Sequence, residues 1–370
     1  MEFDALGSTF YIKFERKKMT KFLQEILEQP KAIHETGRYY ATPDGCEALA
    51  AFVEAARSAR RVIATGMGSS YFLSGALQAF LSLHGIAVTV INAGELLHYQ
   101  LNAVTDDTLL VAVSQSGESY ETVNVVRQLA ERGIKPRLAV ITNQPKSTLG
   151  QRADILLPTV AGVEEKTSTK TFITGFQILY MIDCALGGNE ADANMWERLA
   201  ADIEDTLNQR HNTLPGMLRA LGSASYIQLI ARGTAMASAS QSALMAMEAS
   251  HTPSQALAGG EFRHGPLEMV GDGFMAIVLA SAGSPTIEQT RRVVGDILRF
   301  GGGVLLITDN ADAMPANDSL TVVTVKSPCE ALFPIAAIIP VQLAIEAWAR
   351  EVKGITPGEF THGLKVTDIE

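Results

Sequence analysis

The segment Thr108–Val113 (TLLVAV) runs directly into Ser114–Ser119 (SQSGES), and Tyr120–Glu131 follows it. The apolar run predicts a buried strand, and the spacing of apolar residues after the turn predicts a helix. The turn therefore brings hydroxyl, amide and backbone N–H donors to a helix N-terminus, where unpaired N–H groups and the helix dipole favour an anion. Because the turn contains no lysine, it favours a phosphate that is held and not transferred. We interpret it as a cradle for a sugar phosphate.

The rest of the chain repeats this alternation of strands and helices. From about Asp44, predicted strands alternate with helices of roughly 10–15 residues, which indicates parallel sheets covered on both faces. The predicted strands are Arg61–Thr65, Val88–Asn92, Thr108–Val113, Arg137–Thr142 and Asp154–Pro158, then Tyr226–Ala231, Phe274–Ala280, Gly303–Ile307 and Leu320–Val325.

Two strand–turn–helix segments, Ile63–Ser70 and Ile230–Ala237, resemble each other and indicate two copies of one α/β unit. The predicted fold class is therefore α/β, with two domains that are each a doubly wound parallel sheet with helices on both faces. Ligands in such sheets bind beyond the carboxyl ends of the strands. The predicted organisation is an N-terminal extension and helix (1–43, with the helix at Phe22–His34 before Pro30), a first domain (44–190), a linker (191–215), a second domain (216–350) and a C-terminal tail (351–370).

Composition excludes several classes of protein. The chain has 30 Lys and Arg against 40 Asp and Glu, a net charge of −10, so nucleic-acid binding is not expected. No apolar stretch approaches the roughly 18 residues of a membrane span, and no secretory signal is visible. Cys46, Cys184 and Cys329 fit neither a disulfide framework nor a metal site, so we predict buried, reduced cysteines and a cytoplasmic protein. No metal or other cofactor is expected.

Four motifs occur together in a recognisable order: Gly68–Tyr71, Ser114–Glu118, Ser168–Lys170 and Gly260–Leu267. In this order and spacing the chain resembles the sugar isomerase (SIS) double-domain family. Within that family it resembles the isomerase half of glutamine–fructose-6-phosphate aminotransferase (glucosamine-6-phosphate synthase), over roughly Phe22 to Glu370. The resemblance implies a hexose or amino-sugar phosphate as substrate and a homodimer with composite active sites. By position, it implies that the phosphate is held by Ser70, Ser114, Gln115, Ser116 and Ser119, with Ser69 and Ser168 near the sugar.

Three further positions match catalytic residues of the family. Glu248 corresponds to the base that moves a proton between C1 and C2, a role that suits a carboxylate with a raised pKa. His264 corresponds to a histidine that helps to open the sugar ring and is supplied across the dimer interface. Lys365, in the C-terminal tail, corresponds to a lysine that contacts the sugar and can engage its carbonyl.

The sequence also departs from the family pattern. Met245 stands where the family has a lysine one turn before the catalytic glutamate, so we expect a higher pKa for Glu248. Lys166 replaces a small apolar residue beside the sugar, and the loop Thr356–Gly363 differs from that of the synthases, so the substrate is not expected to be handled identically. The glutaminase domain of the synthases is missing, and glutamine-dependent synthesis by this chain alone is not expected.

Three functions are compatible with these residues. The leading prediction is isomerising deamination, in which glucosamine 6-phosphate gives fructose 6-phosphate and ammonia. The alternative is deglycation of a phosphorylated fructosamine, which uses the same proton transfer. A non-catalytic sugar-phosphate sensor is the third, since a fold by itself does not determine function. The pair Glu248 and His264, and the lack of a helix-turn-helix pattern, argue against the sensor.

Overall fold

The structure is a computed structural model, and it describes residues 19–189, 192–310, 312, 314, 316–360 and 362. Its first sheet has five parallel strands in the order β2-β1-β3-β4-β5. Every residue of the central strand β3 is buried, as the apolar run predicts. The strands are β1 (Arg61–Gly66), β2 (Val88–Asn92), β3 (Thr108–Val113), β4 (Arg137–Thr142) and β5 (Ile155–Pro158).

The second sheet repeats the topology of the first. Its five parallel strands follow the order β7-β6-β8-β9-β10, which is the same arrangement in chain order. The predicted duplication and fold class are therefore confirmed. These strands are β6 (Ile227–Ala231), β7 (Ser254–Ala258), β8 (Met275–Ala280), β9 (Gly303–Thr308) and β10 (Leu320–Thr324). The sequence analysis missed β7, because this half-buried edge strand (SQALA) has no β-branched or aromatic residue.

Helices cover both faces of both sheets. The first half contains α1 (Lys21–Leu27), α2 (Gln29–Tyr40), α3 (Pro43–Ser58), α4 (Ser69–Leu83), α5 (Ala93–Glu95), α6 (Tyr120–Glu131), α7 (Thr148–Arg152) and α8 (Lys170–Leu186). The second half contains α9 (Ala193–Asn208), α10 (Arg210–Leu221), α11 (Ala235–Ser250), α12 (Gly259–Phe262), α13 (Ile287–Arg299) and α14 (Phe333–Trp348). Shorter 3-10 or π-helical turns lie at Leu96–Gln100, Leu101–Ala103, Pro266–Met269, Glu330–Leu332 and Ala349–Lys353.

Alternate strand residues divide the interior into a shared core and two outer clusters. In β3, Leu109 and Val111 face a core that reaches across both domains through α3, α4, α8, α10, α11 and α14. Leu110 faces the opposite side, where α6 and α7 cover the sheet. The outer face of the second sheet is covered by α12 and α13. This period of two is the expected geometry of a strand buried on both faces.

The central helix α14 is buried at every residue. The longer segment Glu330–Lys353 has the length and apolar composition of a membrane-crossing helix, but 94% of its most apolar window is buried inside the protein. Its burial is that of a core helix in a globular protein. The buried Glu346 accepts hydrogen bonds from Thr20 (3.0 Å) and Arg350 (3.3 Å), which ties the start of α1 to this helix.

Two local predictions were wrong. The segment predicted as one helix before Pro30 forms two helices, and Pro30 lies in the first turn of α2, where its missing N–H costs no hydrogen bond. The cysteines are free thiols but not buried: Cys46 is exposed and Cys184 and Cys329 are half-buried. Cys46 lies near the start of α3, where Asp44 and Glu47 are also exposed and Gly45 is buried, so burial there is set by the helix face and not by residue type.

The segment predicted as a linker contains α9 and the first half of α10, and Trp196 of α9 packs against Gly37 of α2. A Cβ atom on Gly37 would lie 2.8 Å from the Trp196 ring, whereas one on Gly75, in α4, would meet no atom within 4 Å. We therefore expect Gly37→Ala to lower the free energy of unfolding by about 1–3 kcal/mol, because the indole must move.

The matched variant Gly75→Ala should raise that free energy by about 0.5–1 kcal/mol, because alanine restricts the unfolded chain and favours the helix. Urea unfolding of the two variants beside the wild type measures both effects. Equal effects of the two substitutions would contradict the close packing of α2 on α9.

Candidate active site

The turn Ser114–Ser119 lies at the carboxyl end of β3 and is held by its own hydroxyl groups. The hydroxyls of Ser114 and Ser119 are 3.1 Å apart, and the N–H of Gly117 donates to Ser114 Oγ at 3.1 Å. The N–H of Glu118 donates to Ser116 Oγ at 3.2 Å. These bonds fix the serines that the sequence assigns to phosphate binding before any ligand arrives.

Two neighbours hold the turn in place. The Glu118 carboxylate accepts the N–H of Thr148 at 2.7 Å, in agreement with the backbone-orienting role that its position suggests. Gly117 has φ = +63°, and a Cβ atom there would lie 1.8 Å from Ser147 Oγ. The position therefore requires glycine for both its backbone conformation and its contact with Ser147.

Four of the predicted ligand residues line one small cavity beside this turn. These residues are Ser69, Ser70, Gln115 and Ser168. The helices α4 and α6 both begin here without a side-chain cap. The Ser119 hydroxyl, at the N-cap position of α6, faces Ser114 instead of its own helix. Unpaired N–H groups at two helix starts make the cavity favourable for an anion. Ser114, Ser116 and Ser119 lie in the adjoining turn.

Glu248 lies near the end of α11 and is half-buried. Burial raises the pKa of this carboxyl to about 7, while the Thr167 hydroxyl beside it acts in the opposite direction. The neighbouring Met245 is fully buried and supplies no charge. Glu248 Oε2 and Thr167 Oγ1 are buried atoms without a well-directed hydrogen bond from the described residues. The expected rise in the pKa of Glu248 is thus confirmed, and its cause is burial, with no compensating cation in the part of the chain that the structure describes.

The phosphate cavity and Glu248 are joined through helix α11. Gln241, two turns before Glu248 on this helix, donates its Nε2 hydrogen to the backbone oxygen of Ser168 at 2.9 Å. The next residue back, Thr167, faces the Glu248 carboxyl. The sequence analysis did not select Thr167. The consecutive hydroxyls Thr167–Thr169 were the available signal, but nothing local indicates which of them faces a distant helix.

His264, the second predicted catalytic residue, is not joined to Glu248 among the described residues. His264 is exposed, in the turn between α12 and the 3-10 turn Pro266–Met269, and its backbone N–H donates to the Glu261 oxygen at 2.9 Å. Within the described parts of the chain, no hydrogen bond or ion pair connects its ring to Glu248. An exposed imidazole is what a side chain acting in another subunit would require, and that dimer stays a prediction. Lys365 lies outside the described residues.

The second domain has a cavity at the equivalent carboxyl edge, but an acidic side chain fills its turn. Ser281 Oγ and the N–H of Ala282 both donate to the Asp309 carboxylate at 2.6 Å. Arg232 lines this second cavity, and its Nε is buried without a hydrogen-bond partner among the described residues. Two donors of the turn after β8 are therefore used internally, in a position equivalent to the serine-rich turn after β3. No cluster of three or more candidate metal ligands occurs in the described segments.

The class of this protein follows from two features, the duplicated five-stranded sheet and the hydroxyl-rich turn at the carboxyl edge of the first sheet. It is a two-domain α/β protein with a candidate anion-binding turn. Residues 56–181 and 220–347 both match the SIS domain model, and the chain belongs to the SIS-domain family. The resemblance described from the four motifs is thus confirmed.

Known proteins agree with this assignment. The glutamine–fructose-6-phosphate aminotransferase (isomerizing) of Zymomonas mobilis is 29% identical over 351 residues, which cover 92% of this chain and 57% of that protein. The chain thus spans little more than half the length of this curated relative. Among solved structures, the C-terminal domain of glucosamine-fructose-6-phosphate aminotransferase from Francisella tularensis matches with a TM-score of 0.82, 22% identity and coverage of 93% of this chain and 98% of that one.

A second solved structure has a different printed activity. The glucosamine-6-phosphate deaminase of Thermotoga maritima matches with a TM-score of 0.69 and 21% identity, over 94% of this chain and 99% of that one. At these identities the two structures establish the shared fold alone.

Gly117→Ala tests the cradle. The new methyl group would collide with Ser147 and the residue would keep an unfavourable positive φ, so we expect a lower free energy of unfolding and at least a tenfold weaker binding of hexose 6-phosphate. Calorimetric titration and urea unfolding measure the two effects. Gly162→Ala is the matched control, because Gly162 has φ = +73° but no atom within 4 Å of its Cβ position. Retained affinity in Gly117→Ala would contradict the cradle.

Glu248→Gln tests the energetic effect of the buried carboxyl. Because the folded pKa of about 7 exceeds the ordinary value of 4.5, ionisation opposes folding, and the destabilisation grows as the pH rises between these values. We expect the variant to be about 1–3 kcal/mol more stable than the wild type at pH 8 and nearly unchanged at pH 5. Urea unfolding at both pH values measures this. A stability difference that does not change with pH would show that folding leaves the pKa of Glu248 unchanged. Glu131→Gln, at an exposed position, is the control.

Proposed function

We propose that this chain is a sugar-phosphate isomerase that acts on amino-sugar phosphates, with Glu248 as the base that transfers a proton between C1 and C2. One observation carries the proposal. The Glu248 carboxyl has a pKa of about 7, has no neighbouring cation among the described residues, and faces Thr167, which adjoins Ser168 of the phosphate cavity. A base with a pKa near the working pH accepts a proton and also returns it.

The chemistry begins with glucosamine 6-phosphate in its open-chain form. The Glu248 carboxylate removes the proton from C2, which gives an enolamine, and returns that proton to C1. C2 is then an imine, water adds to it, and ammonia leaves to give fructose 6-phosphate. The net change is addition of one water and loss of one ammonia. These steps use no oxidant, no metal and no glutamine.

The remaining predicted residues take supporting roles in this proposal. Ser70, Ser114, Gln115, Ser116 and Ser119 hold the phosphate, and Ser69 and Ser168 contact the sugar. His264 from a second subunit moves the proton that opens the ring, and Lys365 of the C-terminal tail contacts the sugar carbonyl. The active unit is a homodimer. Three free thiols suit a reducing cytoplasm.

Ammonia and fructose 6-phosphate release from glucosamine 6-phosphate tests the function. We expect turnover by the wild type and a loss of about 10²–10⁴-fold in Glu248→Gln, because the amide cannot accept a carbon-bound proton. The wild-type kcat/KM should fall about tenfold per pH unit below pH 7, as the carboxylate becomes protonated, and level off above it. The exposed Glu131→Gln should behave as the wild type.

Two other results would redirect the assignment. Turnover of phosphorylated fructosamines, but not of glucosamine 6-phosphate, would favour the deglycase. Tight hexose-phosphate binding without turnover of either substrate would favour the sensor. Wild-type rates in Glu248→Gln would overturn the proposed base whichever substrate is used.

A further inference from the structure

The cavity at the carboxyl edge of the second sheet occupies the position equivalent to the phosphate cavity. In the first domain the cavity is bounded by the start of α4, the turn after β3 and the start of α8. In the second domain the corresponding elements are the start of α11, the turn after β8 and the start of α14, around a space of about 120 Å³. No charged residue lines the first cavity among the described residues, whereas Arg232 and Glu330 line the second. The duplication has therefore kept a cavity at both edges and changed its chemistry.

Arg232 is a cation without a partner at this cavity. It follows β6 directly and is half-buried, and its Nε atom is buried without a hydrogen bond. None of the described carboxylates forms an ion pair with its guanidinium. Buried polar atoms in folded proteins nearly always have a hydrogen-bond partner. The guanidinium thus indicates that an acceptor from outside the chain belongs in the cavity.

Two glycines hold the guanidinium in place. A Cβ atom on Gly259 would lie 3.3 Å from Arg232 Nε, and one on Gly260 would lie 3.4 Å from Arg232 Nη2. The side chain therefore lies against the backbone at the start of α12, and a larger residue at either position would press on it. A charged group that is fixed before the ligand arrives loses less conformational entropy on binding.

The start of α11 adds a second source of positive potential. This helix has 16 residues, and Thr234 at its N-cap position makes no side-chain capping hydrogen bond. The positive end of the helix dipole therefore lies two residues beyond Arg232. A cation at a helix N-terminus is unfavourable, and an anion between the guanidinium and the first N–H groups removes this conflict.

Nearby carboxylates limit the charge that a ligand can carry. Glu330 is exposed and lines the cavity without an ion pair among the described residues, and Asp309 lies behind the turn after β8. Their repulsion is about twice as large for a phosphate dianion as for a monoanion. The hydroxyls of Ser281 and Thr290 donate to Asp309 and to the Thr286 backbone oxygen, so few hydroxyl donors remain for a phosphate. The cavity therefore favours a monoanion.

The guanidinium and the walls together favour a carboxylate on a short alkyl chain. The planar fork of an arginine matches the two oxygens of a carboxylate. The walls include buried apolar side chains, namely Leu279, Ala280, Phe333 and Pro334. A space of about 120 Å³ corresponds to about four water molecules, which is the size of a molecule with few heavy atoms.

We propose that this second-domain cavity binds a small aliphatic monocarboxylate, whose carboxylate lies between the Arg232 guanidinium and the start of α11. The inference is independent of the proposed function, because it uses neither the phosphate cavity nor the Glu248 carboxyl. It gives the second domain a ligand site of its own, at the start of the helix whose last turn carries Glu248.

Titration of the wild-type protein with acetate and with its neutral isostere acetamide tests the site. We expect acetate to bind with a dissociation constant of about 1–10 mM in ligand-observed NMR, the range open to a ligand of four heavy atoms. Acetamide should bind at least about tenfold more weakly, because it forms no charge-assisted pair.

Three variants locate the bound acetate. Arg232→Gln should weaken acetate binding by about tenfold or more, and Arg232→Lys should restore only part of it, because an ammonium group is not a planar fork. Glu330→Gln should strengthen acetate binding by about two- to threefold, because it removes an exposed negative charge from the lining. This last variant keeps the test decisive if Arg232→Gln does not fold, which urea unfolding establishes.

Arg292→Gln is the matched control, because Arg292 is an exposed arginine of α13 outside the cavity lining. Equal binding of acetate and acetamide by the wild type, or unchanged acetate binding in folded Arg232→Gln, would overturn the site. Inorganic phosphate that binds more tightly than acetate and depends on Arg232 would overturn the assignment to a carboxylate. Turnover of sugar phosphates plays no part in these outcomes, so the proposed function stands or fails separately.

Discussion

The site depends on one buried contact between the two halves of the chain. Gln241 of α11, fully buried, donates to the backbone of Ser168, which belongs to the first domain. This hydrogen bond places Thr167 against Glu248 and holds the start of α8 beside the second domain. A carboxyl group from the second domain thereby faces Thr167, the neighbour of Ser168 in the cavity of the first domain. Burial of the Glu248 carboxylate opposes folding, and buried groups with shifted pKa values of this kind are typical of functional sites.

Duplication of one α/β unit produced two equivalent carboxyl edges, and each has a cavity with a different lining. In the first domain, serine hydroxyls and the starts of α4 and α6 leave donors unpaired around a small cavity. In the second, Asp309 accepts the corresponding donors of the turn at Ser281 and Ala282. A carboxylate so placed also repels an incoming phosphate. The second domain instead contributes helix α11 and its glutamate.

Local patterns predicted most of the fold, because long buried strands and long helices have strong periodicity. The apolar run before Ser114 forms β3, as predicted. The similarity between Ile63–Ser70 and Ile230–Ala237 predicted a duplication, and the two sheets do have the same strand order. The strand β7 was missed, since a five-residue edge strand takes its conformation from pairing with β6 and not from its own propensity. The prediction that a single helix precedes Pro30 was wrong, because proline also fits the first turn of a helix, and Pro30 lies in the first turn of α2.

The sequence by itself determined the duplicated α/β fold and the serine-rich turn after β3, and it selected Glu248 as a candidate, because each is encoded in a contiguous pattern or a motif. The tertiary structure alone decided that Glu248 faces Thr167 and that His264 is exposed. These relations join residues distant in the chain, and burial and pairing at that range depend on how whole helices pack. The spacing of residues along the sequence does not predict these relations.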